Sequence, residues 1–289
     1  GSMAALLRAC LVTGYDVQPA AGWEEPFPET NNYACFRALS GVRKFLQIDD
    51  NQTYDVTAAT SFDSMSDAVS GAGNRGSCRF GKRDYGTDAY STEWFLIADE
   101  KTFYVFLNTQ YGLIPHGFGE FYSYLGSDSL KSFLSGHTDD RGLPDYYNSV
   151  PAMLSTGMIT QTGLQYPLHL ASSLFDVNKC EACIVGTAGA YGANHSSSSD
   201  DFYSSISAGV DYPVFSARLS VSSPVVEKAF RGHLHGVYFP AAFTPKLHAS
   251  TFVYNGTTFI ALNCGNASNS YANNQQMWLD ISGSWEESL

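Results

Sequence analysis

The stretch whose reading decides the fold is Arg231-Gly232-His233-Leu234-His235-Gly236-Val237-Tyr238, followed by Thr251-Phe252-Val253-Tyr254-Asn255-Gly256-Thr257-Thr258-Phe259-Ile260-Ala261-Leu262 and Met277-Trp278-Leu279-Asp280-Ile281-Ser282-Gly283-Ser284-Trp285. It reads as strand, hairpin, strand and a closing Trp. Apolar residues alternate on both sides of Asn255-Gly256, a dipeptide whose two residues both accept the positive φ that a tight hairpin turn requires. The chain therefore ends in a β-rich scaffold, and no constellation in this stretch is built for chemistry.

Working back toward the N-terminus, Phe215 to Val221 and Glu181 to Val185 read as further strands. Gly186 to Gly192 and the run Ser196 to Ser199 with Asp200 and Asp201 read as loop, ordered by a partner if at all. From about Gly136 to Pro167 the chain carries Gly, Pro, Asp and Asn with sparse apolar periodicity, which marks an excursion or an inter-domain link. Ahead of it, Trp94 to Asn108 is an apolar strand, a polar turn and a second apolar strand, the expected core hairpin of an N-terminal sheet. Gly117 to Tyr124 follows as a strand whose glycines mark a bulge or a close backbone approach. Ser64 to Gly81, short of apolar residues and rich in Gly and Ser, reads as a loop. Tyr33 to Ala38 and Arg43 to Asp50 alternate like half-buried strands of a meander, and Asp49-Asp50-Asn51 closes a hairpin onto a strand at Tyr54 to Ala59. Ala4 to Val12 carries apolar residues at helical spacing, with Ser2 placed to cap its start and Gly14 its end. This helix packs on the sheet or on a neighbouring subunit.

Composition bounds the function. With 289 residues, 44% hydrophobic and 14% aromatic, the chain has ample material for packed cores. A net charge of -12 repels phosphate backbones, so direct nucleic-acid binding is not expected. The nearest approach to a basic patch, Arg75, Arg79, Lys82 and Arg83, reads as a loop or a subunit contact. No apolar run approaches the roughly 20 residues that span a bilayer, and Met3 to Val12, the best candidate, is interrupted by Arg8. The six cysteines are too spread for a disulfide scaffold and read as buried thiols.

The chemical motifs are weak. Cys180-x-x-Cys183 supplies two ligands of the four a tetrahedral zinc site needs, and no second pair follows. His233-x-His235 places two imidazoles on one face of a strand, with His248 a conceivable third ligand, but no carboxylate stands at a suggestive distance. Tyr191 to Ser196 with Asp200 and Asp201 holds the residue types of a hydrolytic triad without a Gly-x-Ser-x-Gly elbow. The glycines of Gly186 to Gly192 lack the Gly-Lys-Ser/Thr of a phosphate loop. No catalytic, metal or cofactor residue is expected, and no cofactor. The 18 Tyr and 19 Phe weigh more: rings on the outer face of a sheet are rigid contact surface, suited to subunit interfaces and to stacking on sugars, and equally suited to filling two cores.

A set of motifs begins with Gly1 to Tyr15 and its Cys10-Leu11-Val12-Thr13-Gly14-Tyr15, Ala21-Gly22-Trp23, and Leu46-Gln47-Ile48-Asp49-Asp50. It continues through Ser61-Phe62-Asp63-Ser64-Met65-Ser66-Asp67, the segment Trp94 to Tyr104, Arg231-Gly232-His233-Leu234-His235-Gly236 and the ending Leu279 to Trp285. In these motifs the chain resembles structural proteins of tailed bacteriophages, and the likeness keeps one order along almost the whole chain, weakest from about Leu125 to Cys180. The resemblance implies a virion component of the tail, baseplate, neck or another particle surface, and it brings no catalytic residues with it.

The expected fold is mainly β with a short N-terminal helix, its sheets antiparallel and meander or sandwich-like. Residues 1–135 form the helix and a β-meander domain, 136–178 a linker or excursion, and 179–289 a C-terminal β domain. The expected partners are copies of the chain and other phage virion proteins, met through interface candidates Leu6, Leu7, Leu11, Tyr122, Tyr124, Tyr191 and Tyr203. The other reading is a host-recognition module that binds surface glycan through Tyr122 to Tyr124 and Asn269 to Gln276. A weaker third is a metal-dependent hydrolase using His233 and His235.

Overall fold

The computed structural model describes residues 2–51, 56–81, 93–109, 112–136, 159–160, 168–173, 181–185, 214–223, 226–240, 246–264, 275–283 and 285. Helix α1 (Met3–Leu7) starts where Ser2 Oγ accepts the Ala5 N–H at 3.1 Å, and the Asp50 carboxylate takes the Ala4 N–H at 3.0 Å. The chain winds on as a π-helical turn over Arg8–Thr13, and Gly14, at φ 90°, ends it. Both caps are those the sequence predicts. The helix lies on a five-stranded antiparallel meander, β1 (Trp23–Glu24), β2 (Tyr33–Ala38), β3 (Phe45–Asp49), β4 (Val56–Met65) and β5 (Gly71–Gly81), paired in chain order.

The remaining strands form one twelve-stranded sheet. They are β6 (Trp94–Ala98), β7 (Thr102–Thr109), β8 (Gly112–Ser123), β9 (Ser132–Ser135), β10 (Ile159–Thr160), β11 (Leu168–Ala171), β12 (Glu181–Val185), β13 (Val214–Ser223), β14 (Val226–Pro240), β15 (Ser250–Tyr254), β16 (Thr257–Cys264) and β17 (Gln275–Asp280). The hydrogen-bonded pairings run from β8 to β14, β14 to β17, β17 to β16 and, by a single parallel pair at Cys264 and Leu113, back to β8. The sheet thus curls back on itself. Its interior is filled by Tyr104, Phe106, Phe121, Phe133, Leu234, Val237, Leu262, Met277, Leu279 and Trp285.

Hairpins are where local chemistry is most visible. Asp99 closes β6 onto β7 by accepting the N–H groups of Lys101 and Thr102 on Oδ1 at 2.8 and 2.7 Å, and its own N–H meets Thr102 O at 2.9 Å. Asn255 and Gly256 adopt φ 49° and 84°, the turn that the sequence demands between β15 and β16.

Four expectations need correction. Ser64 to Gly81 is not a loop: β4 runs to Met65, and β5 pairs with it over its whole length. The apolar signal is missing because other residues' side chains fill the notches left by the β5 glycines. Phe62 and Met65 crowd over Gly71, and the His169 imidazole sits where a Cβ on Gly76 would lie, 2.1 Å from Cγ. The β6–β7 hairpin is not in the N-terminal sheet but in the large one. And the division at residues 136–178 does not separate two sheets, because β6 to β9 and β12 to β17 share a single one, while β11 pairs with β9 inside the supposed excursion. Strand β3, read as half-buried, is buried throughout.

The two layers meet over a second core. Phe103, Val105 and Leu107 of β7 and Phe118 of β8 pack against Leu7, Leu11, Trp23, Phe36, Leu46, Ile48 and Phe80. Specific contacts fix the docking. Trp23 donates from Nε1 to Asp99 O at 2.8 Å and meets Phe103 edge-on at 5.4 Å. His116 stacks on Phe80 with ring centroids 4.7 Å apart. The buried Glu120 carboxylate accepts the Val42 N–H, and His169 Nε2 lies 2.9 Å from Ser77 O.

The Gly76 notch is testable. With φ 136° and an imidazole already in place, Gly76→Ala forces His169 out, and a loss of about 2 kcal/mol or more in folding free energy is expected from urea denaturation. In a His169→Ala background the same substitution costs measurably less. Strict additivity of the two changes disproves the contact's role.

Candidate functional site: ring-bearing faces of the curled sheet

Alternation along β14 sets up the outer face of the curl. Leu234 and Val237 both point into the interior although they are three residues apart, a spacing a regular strand does not allow. The extra residue is absorbed at Gly236, whose φ of 66° makes a bulge, and the Trp285 indole occupies the space a Cβ would need. Here β14 also changes partners, from β8 at Gly232 to Leu234 to β17 at Val237 and Tyr238. His233, His235 and Tyr238 are thereby directed to the face away from the interior.

On that face the β8 and β14 ladders bring four rings together. Tyr122 stands opposite His233 in register and stacks on it with centroids 4.8 Å apart. Tyr124 packs at 5.8 Å from Tyr122, and its hydroxyl lies 3.2 Å from His233 Nδ1. His235 meets His233 at 6.2 Å, and its carbonyl accepts the phenol of Tyr104 at 2.8 Å. Tyr124 is 44% exposed, so the cluster opens to solvent on its side.

Further along the same face, Phe259, Ala261 and Trp278 form a small separate core flanked by Tyr238, Phe252 and Tyr254. Phe252 stacks on Phe259 at 5.7 Å and meets Trp278 edge-on at 4.6 Å. Lys246 Nζ sits 5.0 Å above the Phe252 ring, and Trp278 donates to Gln276 Oε1 at 2.8 Å. This aromatic platform is not among the expected interface residues. The turn at Asn255-Gly256 was the available signal, since it fixes the register that puts Phe252 opposite Phe259.

The expected site residues separate into groups. Leu7 and Leu11 are fully buried within the chain, and Leu6 is half-buried against the same core. The helix therefore takes the packing position on the sheet, and Leu7 and Leu11 leave the set of interface candidates because nothing outside the chain reaches them. Tyr122 and Tyr124 stand together at the ring cluster. Tyr191 and Tyr203 lie outside the described residues, as do Cys180, His195, Asp200, Asp201, Lys82 and Arg83. His248 is not drawn to His233 and His235. It packs edge-on against Phe95 at 5.6 Å and accepts the Asn263 N–H at 3.1 Å. Among the described residues no three His, Cys, Asp or Glu side chains are grouped to hold a metal ion. Of the supposed basic patch, Arg75 is held by Asp63, with Nη2 to Oδ2 at 2.6 Å, and Lys44 joins the same carboxylate at 2.5 Å.

The cluster has an acid-sensitive member. Burial pushes the His235 imidazole down to about 4, aided by the nearby charges of His233, Lys131 and Lys101. It is neutral when folded, while the unfolded chain takes up a proton near the ordinary value of about 6.5. Stability contributed by the neutral ring is present above pH 6.5 and is lost progressively as pH falls toward 4. Chemical denaturation between those limits should show a flatter pH dependence for His235→Gln than for the parent chain. Identical slopes would disprove the assignment. Compared with known proteins, the chain matches no family model and no curated protein sequence.

Proposed function

We propose that this chain is a structural subunit of a tailed-phage virion, placed in the tail, baseplate, neck or another particle surface, and that it works through repeated protein contacts without catalysing a reaction. The half-buried rings of Tyr238, Phe252 and Tyr254 carry the reading: seated over the buried Phe259 and Trp278 on the outer face of a sheet, outside both main cores, their open sides are rigid surface suited to being covered by another polypeptide. The resembling motifs support it by where they fall. Trp23 joins the two layers, Trp94 to Tyr104 is the hairpin shared by both cores, and Gly232 to Gly236 with Trp285 forms the seam of the curl. They are the joints of a scaffold. The partners are copies of the chain and other virion proteins. No helix among the described residues is long and apolar enough to cross a membrane.

The half-open cluster of Tyr122, Tyr124 and His233 favours a second reading, recognition of a host surface glycan, since ring faces stack on sugars while imidazole and phenol groups read hydroxyls. Quantitative mass spectrometry of purified particles tests the first reading, with the expected outcome that the chain is present in fixed multiple copies per particle. Its absence from purified particles overturns that reading. Binding to a glycan panel that is lost in Tyr124→Ala would favour the second.

A further inference from the structure

We infer that the β15 edge is a pairing surface for a second copy of this chain, joining two large sheets antiparallel across a two-fold axis. This goes beyond the virion reading and does not depend on it. Strand β15 is paired with β16 alone among the described residues. In its two-residue hairpin the flanking pair Tyr254 and Thr257 exchanges both backbone hydrogen bonds, and so does Phe252 with Phe259 two residues on. The N–H and C=O groups of Thr251 and Val253 therefore point away from β16, toward the edge. Their side chains are exposed as well, Val253 at 69%. An edge that no other described strand pairs with is a template for another strand.

Two observations identify the occupant. The first is charge. From Leu247 to Leu279 the sequence contains no Asp, Glu, Lys or Arg, in a chain whose net charge is -12. Two copies that repel each other elsewhere approach at least cost along this neutral edge, whereas a basic partner would gain nothing from it. The edge also lacks the lysines, prolines and inward charges with which natural sheets block such pairing: Ser250-Thr251-Phe252-Val253-Tyr254 has none. The second is self-complementarity. Only one antiparallel register uses all the outward groups: Thr251 faces Val253 of the second copy, Val253 faces its Thr251, and the two Phe252 residues meet on the axis. Both Thr251–Val253 pairs are then of the hydrogen-bonded type, and the two aromatic platforms, each with its Phe252 and Tyr254, become one continuous surface.

Sedimentation velocity of the purified full chain over a concentration series tests the pairing, with the parent chain expected to form a dimer. Val253→Pro removes an outward N–H and leaves the inward ladder to β16 untouched, and two such losses across the axis should weaken dimerisation about tenfold or more. Val253→Lys, a change at a well-exposed side chain, places like charges beside the axis and should weaken it too, and it decides the matter if the proline variant does not fold. Circular dichroism and thermal melting establish that each variant is folded. A parent chain monomeric at every concentration overturns the proposal, as it would if the edge instead received a strand from a different protein. A dimer of unchanged affinity in a folded variant overturns it equally. Presence or absence of the chain in particles bears on the virion reading alone, so the two can fail separately.

Discussion

Strand β7 must be apolar on both faces, and the rest of the structure follows from that. Phe103, Val105 and Leu107 face the helix and the five-stranded meander, while Tyr104 and Phe106 face the interior of the curled sheet. All five are essentially buried. A strand that closes two cores at once cannot afford a polar face, and it couples the layers energetically: loss of packing on one side loosens the strand that anchors the other. Its buried polar groups are both satisfied: the phenol of Tyr104, which burial holds far above its usual pKa range, donates to the carbonyl of His235, and the Thr102 hydroxyl donates to Glu120 O at 3.0 Å.

Around that strand, polar groups are used as locators. Glu120 and His169 are buried between the layers, yet each reaches a backbone group on the five-stranded sheet, and Asp128 gathers the hydroxyl of Ser172 at 2.7 Å and the N–H of Ser173 at 2.9 Å to tie the end of β11 to the turn before β9. Hydrophobic packing tolerates small shifts in register. Hydrogen bonds of this geometry do not, so they fix one arrangement among the many that the apolar faces would accept.

How much of this was legible in the sequence depends on the range of the interaction. The tight turns at Asp99 and Asn255-Gly256 were readable because their cause lies within four residues, and so were the two caps of the N-terminal helix. Strand β5 was not, because its identity lies in what fills its glycine notches, and His169 is far away in sequence. The union of the N- and C-terminal strands in one sheet was equally hidden: pairing of Tyr122 with His233 leaves no periodic trace in either segment. Tyr122 and Tyr124 were picked out by their position in an aromatic strand, but the stacking of Tyr122 on His233 was not. The Phe252 and Trp278 platform was missed since nothing local says which face of a strand is covered. Leu7 and Leu11 failed for the same reason in reverse, an apolar helical stripe being the same pattern whether a sheet or a neighbour covers it.

The return of β16 to β8 has a kinetic side. The ring of pairings runs through residues more than a hundred positions apart, and Trp285, which plugs its interior against Tyr104 at 5.4 Å, follows every strand of the ring in chain order. During synthesis β7 and β8 have a finished partner on one side and an unsealed apolar wall on the other. Sealing of the inner wall therefore waits for β14 to β17, while the meander and its helix, whose strands pair in chain order, can mature first.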